Sequence, residues 1–391
     1  VVFERQEDFM LLKNGTLWMS DGHFEKKDLR IADGKIEKIA DELEPLAKEE
    51  TMDLEGLRVY PGMVEAHCHL GLDNSNIGYE GHDFNEMSDP ITPQVRAIDS
   101  INVLDETVIE ARKAGITTVA SGPGSANVIG GTFACWKTDG NCIDDMILDD
   151  GIAMKAAFGE NPKRVYKGKS VNTRMQVAAL MRNTLAKTKE YLAKKEAAKG
   201  DIAKMPAYDQ QLEAMIPVIQ KKIPLKCHAH QHNDIMTAVR IAKEFDINIT
   251  LDHCTDGELI VQEIKRSGWP AIIGPSLTHK SKLELEHKSF TTPKALQDAG
   301  ILFSITSDSP VIPLEYLPML AALAMKQGLT EKEALDAITI SPAKILGIEK
   351  RVGSLEEGKD ADLIVCQGDL LDLQHQIKGV WINGRLIGEY K

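Results

Sequence analysis

The chain has 391 residues, 43% of them hydrophobic and 27% charged, and carries a formal net charge of −13. Those proportions fit an ordinary globular protein, long enough for a barrel of about 250 residues with a smaller unit beside it. The acidic balance argues against a nucleic-acid partner, which would demand clustered cations, and no apolar run reaches the ~18 residues needed to span a bilayer.

The opening segment, VVFERQEDFM, has neither a basic n-region nor an apolar h-region, so an intact signal peptide is not expected; it also lacks an initiator Met. The first ~55 residues read as short strands separated by turns. Asn14-Gly15 divides MLLK from TLWM, and Asp33-Gly34 divides LRIA from KIEKI. Both dipeptides supply the positive-φ positions of a tight two-residue hairpin turn. The same pattern returns at the other end, where DADLIVC (360–366) reads as a strand and Asn383-Gly384 joins VWI to RLIGEY. A small β unit built from both ends of the chain is the economical reading, since chain ends often meet.

Between these ends, short apolar strands alternate with helical segments, the pattern of a parallel βα architecture. The predicted strands are GMVEAHC (62–68), GITTVASG (115–122), IAMKAAFG (152–159), IPLKCHA (223–229), INITLDHC (247–254), AIIGPS (271–276) and ILFSITSD (301–308). The spacing of Ile235, Ala238, Val239, Ala242 and Phe245 predicts a helix with one apolar face. A second helix starts at Thr330 with Glu333 as its capping-box partner, and a last short one starts at Ser341-Pro342 and stops at Gly347. The stretch 172–222 is rich in Lys, Glu and Ala and reads as helices joined near Gly200-Asp201 and Pro206. It is taken as an insertion with a solvated charged face.

The six cysteines (Cys68, Cys135, Cys142, Cys227, Cys254 and Cys366) are scattered, so a disulfide framework is not expected and reduced thiols in the cytoplasm are the default. The chemistry lies with the histidines. His67 and His69 stand at i and i+2, which on a strand points both imidazoles the same way. Further histidines close the strands KCHAH (226–230) and TLDHC (250–254), and Asp308 lies in FSITSDSP (303–310). Any one of these histidines alone is more often a satisfied core residue than a ligand. The set, all at strand ends where a βα barrel gathers its catalytic groups, points to a divalent-metal hydrolytic centre. Such a cation lowers the pKa of its water from 15.7 towards ~7, and Asp308 beside it would serve as general base. Zinc is the default for a His-rich site; iron, manganese or nickel also suit it.

Two loops are expected to set specificity. GLDNSNIGYEGHDFNEMSDP (71–90) would bring Tyr79 and His82 over the pocket. SGPGSANVIGG (121–131) is Gly-rich but matches no nucleotide-binding motif. Arg174, Lys163, Arg164 and Tyr166 are candidate anchors for a substrate carboxylate, with ordinary surface roles equally open.

Taken together, YPGMVEAHCHL, KCHAH, LDHC, ITSDSP and the tail TISPAKILGIEKRVGSLEEGKDADLIV (339–365) resemble the amidohydrolase superfamily over nearly the whole chain, with 160–220 the least diagnostic part. The imidazolonepropionase-related branch, which includes metal-dependent peptidases acting on small dipeptides, is the most similar. The resemblance implies an α/β fold: a TIM-like (β/α)8 barrel over 59–349, with the helical insertion around 172–222, and a small β-sandwich domain from 1–58 and 350–391. It implies one or two divalent ions held by His67, His69, His228, His253 and Asp308. A bridging ligand would come from Glu160, preferred for its place at the strand end, or from a carbamylated Lys155. His230 and His232 become second-sphere or substrate contacts, with His230 in place of His228 as ligand left open, and His253 or His279 is expected as a neighbouring donor to the substrate carbonyl. The implied activity is hydrolysis of a C–N bond in a small amide, cyclic amide or dipeptide through a metal-bound hydroxide. Partners are then a small-molecule substrate, no membrane, and an open question of self-assembly. A heterocycle deaminase or a non-catalytic barrel scaffold are the alternatives; His230 stands where deaminases of this kind keep a Glu.

Overall fold

The computed structural model describes residues 9–75 and 78–389. Asn76 and Ile77, in the loop expected to border the pocket, lie outside the described residues.

Two eight-stranded sheets organise the chain. The first draws on both ends. It contains β1 (Met10–Trp18), β2 (Phe24–Ala32), β3 (Lys35–Ala40), β4 (Glu50–Asp53) and β5 (Arg58–Pro61). Far along the chain it gains β14 (Leu363–Gln367), β15 (Gln376–Ile382) and β16 (Arg385–Glu389). The path runs β16-β15-β14-β5-β1-β2-β3, with β4 added beside β1. This sheet has a core of its own, including Leu12, Leu29, Val59, Leu363 and Trp381.

Asp33-Gly34 and Asn383-Gly384 form the expected two-residue turns, each with positive φ at both positions. Asn14-Gly15 does not. Asn14 has φ 58°, but β1 continues through it, and the register against β2 shifts between Leu12 and Gly15. The dipeptide makes a bulge, which uses the same left-handed conformation without reversing the chain.

The second sheet is a nearly closed barrel, β6 (Met63–Cys68), β7 (Ile116–Ser121), β8 (Ile129–Lys137), β9 (Ile147–Ala157), β10 (Leu225–Ala229), β11 (Ile249–His253), β12 (Ala271–Ile273) and β13 (Phe303–Ile305). Its neighbours are parallel except at β8, which runs antiparallel to both β7 and β9. The glycine-rich motif 121–131, which reads as a loop, overlaps the start of β8. Gly130 and Gly131 lie inside the strand instead, and Gly131 (φ 119°) packs where a Cβ would meet the Val95 carbonyl at 2.4 Å.

The helix His232–Phe245 buries Ile235, Ala238, Val239 and Ala242 as its periodicity requires. The Thr330–Glu333 capping box is formed, and Gly347 closes the helix Ile340–Leu346 with φ 72°. Between 172 and 222 lie the helices Arg174–Ala198 and Gln210–Ile219, tied by Tyr191 Oη donating to Glu213 (2.6 Å). No helix among the described residues is long and apolar enough to cross a membrane.

Candidate metal centre

Parallel strands deliver their last residues to one end of a barrel, and the histidines occupy those positions. His67 is the fifth residue of β6, His228 and His253 lie at the ends of β10 and β11, and Asp308 follows β13. Two groups of donors result: His67, His69 and Asp308, and beside them His228, His230 and His253. Within each group the ligand atoms lie within 4.8 Å of one another. The groups meet at His67 and His253, whose ring centroids are 5.0 Å apart.

Four of the rings are oriented by a partner on Nδ1. His67 Nδ1 bonds Asp252 Oδ2 (2.8 Å), His69 Nδ1 bonds Gly122 O (2.6 Å), His253 Nδ1 bonds Gly274 O (2.7 Å), and His230 Nδ1 bonds Thr255 Oγ1 (2.7 Å). A carbonyl or carboxylate on Nδ1 fixes the proton there and leaves Nε2 with its lone pair available, the arrangement in which histidines hold metals. His228 differs. Its Nε2 faces Asn161 Nδ2 at 3.4 Å, while its Nδ1 is buried without a hydrogen-bond partner.

The residues present fit a divalent ion on two counts. Asp308 Oδ1 stands 3.4 Å from His67 Nε2 and 3.3 Å from His69 Nε2. Donors each about 2.0–2.1 Å from one tetrahedral ion would be about 3.3–3.4 Å apart. In addition, Asp308 Oδ1 and His228 Nδ1 are buried polar atoms with no hydrogen-bond partner, which is costly unless something else satisfies them.

The electrostatics point the same way. Burial, with Lys155 and Lys226 assisting, holds His67 below the usual histidine range, and burial with Lys155 and Lys282 holds His228 well below it. Burial also drives His230 and His253 well below that range, so all four rings stay neutral and able to ligate. Burial alone would raise the Asp308 carboxyl, but His253, His67 and His69 outweigh it and keep it well below the carboxylate range. The backbone is strained here too: His253 (φ 72°), Cys254 (φ 47°) and Asp308 (φ 53°) all take the left-handed conformation. Each such residue costs on the order of 1 kcal/mol or more, a cost that recurs where geometry serves a site.

Lys155 and Glu160 are placed very differently. Lys155, on β9, is fully buried with Nζ 3.2 Å from His67 Nε2 and above the Phe133 ring of β8. Burial lowers its pKa to about 8. Glu160 opens the helix Glu160–Val165, belongs to neither donor group, and pairs with Glu284: its N–H donates to Glu284 Oε2 (2.9 Å) and its carboxylate accepts from Glu284 N (3.4 Å). A position just past a strand end fixes where the Cα sits, not where the carboxylate turns.

The donors open into a cavity of about 450 Å³. His69, His228, His230 and Asp308 form its floor; Phe84, Met87, Val165 and Leu285 supply apolar walls. Of the other expected substrate contacts, none lines it. Tyr79 is 85% exposed, and His82 lies at the surface against Asp73. His232 is held by Asp256, and His279 is exposed. Arg174 is engaged by Asp234 (2.8 Å) and Gln231 (2.5 Å). Among the four candidate carboxylate anchors, only Arg164 reaches the cavity.

Other residues went unread. Asn161 and Lys282 line the cavity, and Glu284, 1% exposed, points Oε1 to within 3.8 Å of His228 Nε2 and 3.9 Å of His230 Nε2. Glu65 and Asp252 brace the histidines from behind. A signal existed for the last two: each is an acid inside an otherwise apolar strand, VEAHC and TLDHC.

Comparison with known proteins assigns the family. The sequence profile of the Amidohydrolase family matches residues 58–387. A crystal structure of an amidohydrolase from Thermotoga maritima MSB8 is 39% identical and superposes with a TM-score of 0.94, covering 97% of this chain and 100% of that one. Amidohydrolase tasK of Hapsidospora irregularis is 29% identical over 85% of this chain, which spans 36% of that protein's length. Imidazolonepropionase of Thermoplasma volcanium is 25% identical over 98% of this chain and 93% of its own. The chain belongs to the amidohydrolase family, whose members typically carry out metal-dependent hydrolysis of C–N bonds.

Proposed function

We propose that this protein hydrolyses a C–N bond in a small amide, cyclic amide or dipeptide, with Asp308 as general base. The observation that carries the reading is the pair of neighbouring donor groups at one cavity, with Asp308 Oδ1 and His228 Nδ1 both buried without a hydrogen-bond partner among the described residues. His67, His69 and Asp308 would hold one divalent ion and His228 or His230, with His253, a second; zinc is the default metal. When bound, such ions supply an acidified water and a Lewis-acidic contact for the substrate carbonyl.

The protein's own part is proton handling and positioning. Asp308 accepts a proton from the attacking water and returns it to the departing nitrogen, which leaves as a neutral amine. The neutral rings keep the floor free of competing protons. Asn161, bonded to Ser125 and facing His228, is placed to donate to the carbonyl oxygen as negative charge grows there.

Lys155, as its carbamate, would add an anionic ligand close to His67, where a second ion would need one. A fully buried ammonium with no carboxylate in contact among the described residues is expensive. Loss of one proton from the ammonium gives the neutral amine, whose attack on carbon dioxide forms an N–C bond, moves an electron pair onto oxygen and releases a second proton, so that a cation would become an anion beside the donor groups. The six free thiols support a reducing compartment such as the cytoplasm.

Metal analysis of purified protein tests the reading, together with turnover on a panel of N-acyl amino acids, dipeptides and cyclic amides. His67→Ala should lose bound metal, Asp308→Asn should lower kcat by about 10²–10⁴-fold, and Lys155→Met should lose metal where Glu160→Gln keeps it. A wild type without stoichiometric metal, in which none of these changes alters hydrolysis of any panel member, overturns it.

A further inference from the structure

The cavity has a charge composition opposite to that of the chain. The protein has 59 acidic and 46 basic residues, yet among the described residues lining the cavity Asp308 is the only carboxylate, while Arg164 and Lys282 both contribute cations. Asp308 lies on the floor with the histidines. The two cations come from other elements, Arg164 from the helix Glu160–Val165 and Lys282 from the loop after β12.

The cations are prepared to different degrees. Lys282 Nζ is fixed by Asn161 Oδ1 (2.7 Å) and lies 3.6 Å from Glu284 Oε1, so its head is held in place and its charge is partly offset. Arg164 has no ion pair and no side-chain hydrogen bond among the described residues. A guanidinium presents donors in a planar fork that matches a carboxylate bidentately. An unpaired one on the wall of a reaction cavity, with apolar Val165 and Leu285 also lining that cavity, offers what an acid with an apolar body requires.

We propose that Arg164, assisted by Lys282, is the specificity determinant for a carboxylate on the substrate, and that the substrate class is an N-acylated or cyclised amino acid. This rests on the hydrolase reading of the same cavity and narrows it. The class follows from the charges: a free ammonium beside the scissile bond would meet the Arg164 and Lys282 cations, with the nearby Glu284 carboxylate already turned to Lys282 (3.6 Å), whereas an acyl or ring nitrogen is neutral.

The test separates binding from turnover. Calorimetric titration compares N-acetyl-L-leucine, N-acetyl-L-methionine and N-acetyl-L-phenylalanine with their carboxamides, alongside hydrolysis of the same pairs. The wild type should prefer each acid by about 10-fold or more, the scale of a lost charge-assisted hydrogen bond. Arg164→Met should remove most of that preference, Arg164→Lys should keep part of it, and Lys282→Met should remove a smaller share. Arg164 is exposed, so unchanged thermal midpoints in its variants confirm that folding is not what changed. An acid preference that Arg164→Met removes, without turnover of any acid, upholds the carboxylate site at Arg164 and overturns both the substrate class and the hydrolase reading on which it rests. Equal binding of acids and amides, no binding of either, or a preference that survives both Arg164→Met and Lys282→Met overturns the inference.

Discussion

Asp252 shows how much of the centre depends on residues that never face the cavity. It is fully buried, accepts from His67 Nδ1, lies 3.2 Å from Lys226 Nζ, and takes a third bond from Thr250 Oγ1 (2.7 Å). Burial alone would raise its carboxyl, but Lys226, His67 and Lys155 together drive it well below the usual range. As an anion it fixes the His67 tautomer and turns Nε2 towards Asp308. Asp252→Asn preserves volume but removes that charge and leaves Lys226 uncompensated. Metal affinity, measured by competition with a chelator, should fall by about 10–100-fold. An unchanged affinity would reduce the contact to packing.

The barrel closes at one place without a ladder, between β13 and β6. The join consists of Glu65, whose Oε1 accepts from His67 N (2.9 Å) and whose Oε2 accepts from Ser307 N (3.0 Å), with Thr306 Oγ1 donating to His67 O (2.6 Å) and His69 N to Ser309 O (2.7 Å). These bonds set the His67–Asp308 distance. Glu65→Gln offers one acceptor oxygen where two N–H groups converge, so one buried donor loses its partner at about 1–3 kcal/mol. Chemical denaturation should register that loss, and a midpoint equal to wild type would show that the join lies elsewhere.

Element by element, the sequence was readable where one local rule sufficed. The strand runs, the Asp33-Gly34 and Asn383-Gly384 turns, and the helix faces each follow from a period or from a dipeptide's φ preference. It was unreadable where a local rule had two tertiary outcomes. Asn14-Gly15 serves a bulge as well as a turn, Gly130-Gly131 serves a crowded strand as well as a loop, and Glu160 could turn either towards the floor or towards Glu284. The loop that carries Lys282 and Glu284 has no period at all, so only the fold brings it over the histidines.

Across the whole molecule, the neutral histidines make stability depend on pH. Folding lowers the proton affinity of His67, His228, His230 and His253, burial being the main cause, from an ordinary value of 6.5. As pH falls through 6.5, the unfolded chain takes up protons that the folded one refuses, so stability declines. Glu65 works in the opposite sense, since burial raises it to about 7 and the folded state then binds the extra proton between 4.5 and 7. Within the centre, the four histidines outnumber Glu65. Chelator-treated protein should therefore melt at a lower temperature at pH 5.5 than at pH 7.5, by differential scanning calorimetry; an equal or higher midpoint at pH 5.5 would contradict the burial of neutral rings.

The shared sheet has a consequence for synthesis. β5 pairs with β14 through Val59 and Val365, and about 300 residues separate the two strands in the chain. At about 5–20 residues per second, the early strands wait on the order of 15–60 s on the ribosome before their partners emerge. Through that interval the β5 edge, with Val59 and Tyr60, stands open while the barrel forms beside it. Lys137 of β8, buried against Asp360 and Asp362, latches the finished barrel to the late-arriving segment, so the newborn chain is sealed from its far end.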